Sequence, residues 1–235
     1  MELTIRNDPN RKYAPPRLLE PTPRGYIYVG AVVDPPDRIP IVRGSARRDA
    51  VLARLKESAR RLEARADVVK ATVFRAVLIP PVPGGPRFDA AVLIETAVPE
   101  AIPDVRRAEP YRRLIDAAGE PRVMTARNIK RIGDVAEDRQ GVFLFNHFTA
   151  EDAGVAARLW EHLAGWYVAE TGLDNSVLLE PTDAAPYVFV NHARWDGGLV
   201  RFAIRQFAKP SFARYVRGNL RANKVVAMPV LFALA

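Results

Sequence analysis

The chain has 235 residues, 49% of them apolar, enough for a real core in one large domain or two small ones and too many for a disordered chain. Net charge is +8 and there is no cysteine, which excludes disulfides, thiolate catalysis and cysteine-ligated zinc or iron–sulfur centres. No apolar run is long enough for a membrane span and the N-terminus lacks an apolar signal core, so a cytoplasmic protein without membrane association is expected.

Eight of the twenty prolines fall in the first forty residues, so residues 1–24 are expected to form an extended Pro-rich arm rather than packed structure. Gly25 to Val33 (GYIYVGAVV) is β-rich. A helix follows, with Ser45 as N-cap and Val51, Leu52, Leu55, Ala59, Leu62 and Ala66 at helical spacing. Val68 to Ile79 and Arg87 to Val98 are strands joined through PPVPGGP. A short helix at EPYRRLIDAAG and a strand at RVMTARNIKRI complete the first set.

The order then repeats. GVFLFNHFT is a strand, Thr149 and Asp152 suggest a capping box for the helix EDAGVAARLWEHLAGWYVAET, and Gly172 suits its C-cap. NSVLLEP and PYVFVNHARW are strands, LVRFAIRQFAKPSFARYVRGNL is helical with a break at Pro210, and KVVAMPVLFAL closes as a strand. Each half therefore has the β-α-β-β-α-β order of a ferredoxin-like unit, the first over 25–132 and the second over 141–235, with 133–140 as linker. An Ala-x-Pro entry to the last helix of each half adds to the impression of internal duplication. The predicted class is α+β. Each sheet has helices on one face and must bury the other, so the two sheets are expected to face one another as an intramolecular barrel with a cavity between them.

The scattered arginines form no dense basic block and match no DNA-binding motif, so nucleic acid is not an expected partner, and any DNA binding should be weak and lost at moderate salt. There is no dinucleotide fingerprint, P-loop or nucleophile elbow.

This architecture, with the text AVLIETAVPEA (Ala91 to Ala101), resembles the dimeric α+β barrel superfamily, and within it the antibiotic-biosynthesis-monooxygenase-like group. In that group the third strand ends in an apolar run, a Glu, one residue and a Trp. Glu95 matches the Glu, but Ala97 stands in the Trp position, and in the second half His192 and Arg194 take the two places. The superfamily includes cofactor-free monooxygenases of polycyclic phenols, isomerases, haem proteins and members without known activity, so the fold alone does not give the function.

Two of the three histidines end similar apolar runs, FLFNH and YVFVNH. If these first and third strands are parallel neighbours in register, His147 and His192 share a face with Phe143, Phe145, Val190 and Arg194, about 5 Å apart, while Asn146 and Asn191 point the other way. The resemblance puts the Glu position on the cavity face. His147 and His192 are then candidate bases, Arg194 an anion stabiliser, and Phe143, Phe145, Val190 and Glu95 ligand contacts. At least one histidine should be neutral, its proton affinity lowered by burial and by Arg194. The competing view is that both histidines satisfy buried hydrogen bonds, with Arg194 at a wet rim. No acid stands beside the pair, so no metal site is expected. His162, on an apolar helix face, resembles in position the axial histidine of the chlorite-dismutase-like haem branch, which leaves haem open as an alternative to no cofactor.

The sequence thus suggests a small-molecule-binding barrel, a cofactor-independent monooxygenase or related enzyme taking an aromatic ligand. A non-catalytic binding or assembly protein and a haem protein are the alternatives, and assembly into homo-oligomers stays open. On this view His192→Ala should abolish ligand binding with only a modest loss of stability.

Overall fold

The computed structural model describes residues 2–7, 12–37, 40–199, 202, 206 and 209–235. The first half contains β1 (Gly25–Ala31), α1 (Ala46–Glu63), β2 (Val68–Leu78), β3 (Ala90–Thr96), α2 (Ile102–Arg107), α3 (Glu109–Ala118) and β4 (Arg122–Gly133). The second contains β5 (Val142–Ala150), α4 (Ala153–Thr171), β6 (Ser176–Pro181), β7 (Phe189–Trp195), a π-helical turn over Phe212–Arg217 that runs into α5 (Gly218–Ala222), and β8 (Val225–Leu234). Part of the helix expected before Pro210 lies outside the described residues, as does Ala208 of the second Ala-x-Pro; Pro210 itself opens a helical stretch.

The strands close into one eight-stranded barrel in the order β1-β3-β2-β8-β5-β7-β6-β4. Each half contributes one four-stranded sheet, and the seams are β2 against β8 and β4 against β6. Every pairing is antiparallel, including β5 with β7, which corrects the parallel arrangement expected from the sequence. The reason is connectivity: a helical crossover returns β6 parallel to β5, and the turn into β7 then reverses it. Phe145 therefore faces His192, and His147 faces Val190.

The expected cavity between the sheets is filled. Eight strands enclose a space that side chains can occupy completely. Here Phe145 packs at 4.9 Å from Tyr28, 5.1 Å from Phe74 and 5.5 Å from Phe232 between ring centroids. Leu93, Phe143, Val190 and Val230 complete an interior drawn from both halves. The helices lie outside, with α1, α2 and α3 over one sheet and α4 over the other.

Local signals mostly act as expected. Ser45 accepts the Arg48 amide at 3.2 Å, and Gly172 ends α4 in the left-handed region at φ 72°. The capping box differs: β5 continues through Thr149, and Asp152 itself is the N-cap, accepting the Val155 amide at 2.9 Å.

The N-terminal arm is extended but packed. Asn223 and Asn219, one turn apart on the final helical segment, read the backbone of Thr4 and Arg6 with paired amide hydrogen bonds of 2.6–2.9 Å. Tyr13 packs against Tyr215, ring centroids 4.7 Å apart, and its hydroxyl donates to Glu170 at 3.0 Å. Glu170 also binds Lys12 and Lys209, both at 2.7 Å, and the Lys12 bond leads the causes that hold its carboxyl down at about 2. Gly165 lets the arm cross α4 closely, since a Cβ there would lie 2.3 Å from the Ala14 carbonyl oxygen. Gly165→Ala should lift the arm and destabilise the fold by about 1–2 kcal/mol. Faster proteolytic release of residues preceding β1 would register this; an unchanged cleavage rate and melting temperature would contradict it.

Candidate functional site

Alternation along β5 and β7 sends the two Asn-His pairs to opposite faces. The histidines enter the barrel and the asparagines face the helices.

His147 is fully buried. Its Nδ1 faces the Met228 carbonyl at 3.1 Å and its Nε2 faces the Tyr28 hydroxyl at 3.0 Å. A carbonyl only accepts, so Nδ1 carries the proton and Nε2 accepts from the phenol. Burial pushes the imidazole down to about 4 and the Tyr28 phenol well up, so both are neutral at pH 7. The cause is desolvation; Arg194 is not among the groups acting on His147.

His192 lies flat against Phe145, ring centroids 4.1 Å apart. Its Nδ1 faces the Leu144 carbonyl at 3.2 Å and its Nε2 meets Glu137 Oε1 at 2.9 Å. With Nδ1 donating to the Leu144 carbonyl, Nε2 and Glu137 Oε1 close a buried hydrogen bond. Glu137 lies in the 133–140 linker, where no periodicity marks it, and sequence reasoning missed it. Arg194 is turned to the barrel rim, donating to the Gln140 carbonyl at 2.6 Å and to Asp196 at 2.5 Å. Glu95 also lies at the His192 end. Burial, then the charge of Glu137, push its carboxyl up against the opposing pull of Arg24 at 2.5 Å. Tyr26 beside it rises to about 12, chiefly through burial. Phe143, Phe145 and Val190 are fully buried core residues.

The open space is on the other face. A cavity of about 280 Å³ lies between the second sheet and the helices covering it. Leu144, Phe148, Leu163, Phe212, Val216 and Trp195 make apolar walls. Asn146 and Asn191, directly paired across β5 and β7, form a polar floor. The Asn191 side-chain oxygen accepts from the Trp160 indole at 2.9 Å and the Ser176 hydroxyl at 2.6 Å. The side-chain oxygens of Asn146 and Gln206 are buried and have no partner among the described residues. The Gln206 amide donates to Tyr167 at 3.2 Å, and burial raises that phenol. Exposed Arg217 stands at the edge of the cavity. Sequence alternation did place both asparagines on this face; what it lacked was which face held the void.

Solved structures share this fold over nearly the whole chain. An anthrone oxidase-like protein superposes with a TM-score of 0.63 over 90% of this chain and 91% of its own, at 14% identity. A monooxygenase candidate from Fusobacterium nucleatum gives 0.56 over 92% and 94% at 9% identity. A chlorite dismutase variant from Candidatus Nitrospira defluvii gives 0.52 over 91% and 92% at 8% identity. The chain thus shares the fold of these proteins, an eight-stranded barrel that closes here within one chain. At these identities the likeness establishes fold alone. No family model and no curated protein matches the sequence. No described helix is long and apolar enough to cross a membrane.

The residues of the cavity do not fit a haem. An axial ligand is needed, and none of the chain's three histidines lines it. His162, on α4, is half-buried away from the cavity, and its carbonyl accepts from Tyr215 at 3.4 Å. Tyr167 is the one phenol on the lining, already bonded to Gln206.

Proposed function

We propose that this chain binds a small, neutral, largely aromatic molecule in the cavity under α4, with Asn146 and Gln206 completing their hydrogen bonds on its polar groups. The observation that carries this is the pair of buried, unpartnered carboxamide oxygens in an otherwise apolar cavity. Leaving such a group unpaired costs about 1–3 kcal/mol, which a ligand donor recovers. Carboxamides, rather than ions, suit a phenol, enol or amide held in its uncharged form.

Quenching of tryptophan fluorescence by 2-naphthol tests it, since Trp160 and Trp195 line the cavity. Asn146→Leu should weaken binding about tenfold or more while leaving stability unchanged or raised, because it removes an unsatisfied polar atom. Equal binding by the variant would refute the site.

A second reading is oxygenation of such a ligand, suggested by the oxidase- and monooxygenase-like descriptions of the structural neighbours. His147, His192 and Arg194 would then serve as bases and anion stabiliser for a substrate admitted to the barrel, in contact with Phe143, Phe145, Val190 and Glu95. This requires the aromatic filling to move, because the helix-side lining offers no imidazole or carboxylate as base among the described residues. Substrate-dependent oxygen uptake lost in His192→Gln, with binding retained in Asn146→Leu, would favour it over simple binding.

A further inference from the structure

β2 outruns its neighbour at one seam. Among the described residues, β8 pairs with it only between Phe74 and Leu78, and no strand lies beside the earlier part of that edge. The Ala235 amide donates to the Val73 carbonyl at 3.0 Å, and Glu63 accepts the Ala71 amide at 3.0 Å. Between this edge, α1 and the β4–β5 connection lies a second cavity, an open notch of about 260 Å³.

Thr72 and Glu137 are among the residues lining it, and Thr72 Oγ1 and Glu137 Oε2 are both buried and without a partner among the described residues. The side chains are well shielded, Thr72 being 8% and Glu137 4% exposed. The other Glu137 oxygen is held by His192 at 2.9 Å, so Oε2 is fixed in direction and free to accept. The rim carries Lys56, Arg60 and Lys70. Glu63 on the rim already holds a backbone amide, the last residue, Ala235, also lines the notch, and among the described residues Arg60 pairs with exposed Glu57 at 3.7 Å.

Cations outside and a buried acceptor inside select for two features in one small molecule. An anionic group is drawn to the lysines and arginine, and a hydrogen-bond donor a few bonds away reaches Glu137. We propose that this seam notch is a binding site for a small carboxylate bearing an adjacent hydroxyl or ammonium donor. It lies apart from the helix-side cavity and does not depend on the function proposed for it.

Titrating the full chain with lactate, propionate and ethanolamine, followed by calorimetry or amide chemical shifts, tests both features. Lactate should bind at millimolar concentration, with propionate about tenfold weaker because it lacks the donor, and ethanolamine weakest. Glu137→Gln should erase the preference for lactate over propionate, and Lys70→Ala should weaken both anions. Thr72→Val, which leaves the Glu137–His192 pair intact, should reduce lactate binding alone and guards against a Glu137 variant that fails to fold. Equal affinity for lactate and propionate, tighter binding of ethanolamine, or no binding by any of the three would overturn the proposal.

Discussion

His192→Ala should destabilise the fold by roughly 3–5 kcal/mol, measured by urea unfolding, against the modest loss that a cavity-wall residue would give. Two terms add. The ring is fully buried and stacks on Phe145 at 4.1 Å, so truncation leaves a hole in a filled barrel. Glu137 also loses the one hydrogen-bond partner it has among the described residues, where Oε2 is already unpaired. Removing Glu137 as well should recover part of the loss, so the His192→Ala/Glu137→Ala double variant should be less destabilised than the sum of the singles by about 1–3 kcal/mol. A loss below about 1 kcal/mol for His192→Ala would show that the barrel interior is looser than its packing implies.

The second large effect is on pH dependence. The folded value of His147 is about 4, below the 6.5 of an unperturbed imidazole. The unfolded chain therefore takes up its proton first, so this group opposes folding progressively as pH falls from 6.5 to 4 and contributes nothing above that window. Fully developed, the shift corresponds to about 3 kcal/mol of lost stability in acid. Unfolding free energies measured across this range should fall less steeply in His147→Gln, which keeps an acceptor for the Tyr28 hydroxyl but cannot titrate. Comparing slopes cancels the other groups that titrate there. Identical slopes for the two proteins would mean that His147 takes up its proton as readily in the folded state as in the unfolded chain.

The histidines show where sequence reasoning stopped. Alternation along FLFNH and YVFVNH correctly put Phe143, Phe145 and His147 on the face shared by Val190, His192 and Arg194, and the asparagines on the other, because side-chain direction in a strand is local geometry. The assumed parallel pairing was wrong, since strand direction follows from the path of the helix between them. The neutral histidine was foreseen, but burial by Tyr28, Phe88 and Tyr187 accounts for it, and only packing supplies those neighbours.

The sequence by itself determined the order of elements, most helix ends and the existence of two apolar sheet faces. These depend on periodicity, capping and turn chemistry within about ten residues along the chain. Only the tertiary structure decided which face is full and which is open. Closing eight strands fixes a barrel radius that aromatic side chains fill only once both halves are brought together, while the void is left where α4 and the last helical segment stand off from Asn146 and Asn191. Glu137 likewise gains its meaning from His192, fifty-five residues away along the chain. Volumes and partners at that separation are properties of the closed barrel, and no local pattern encodes them.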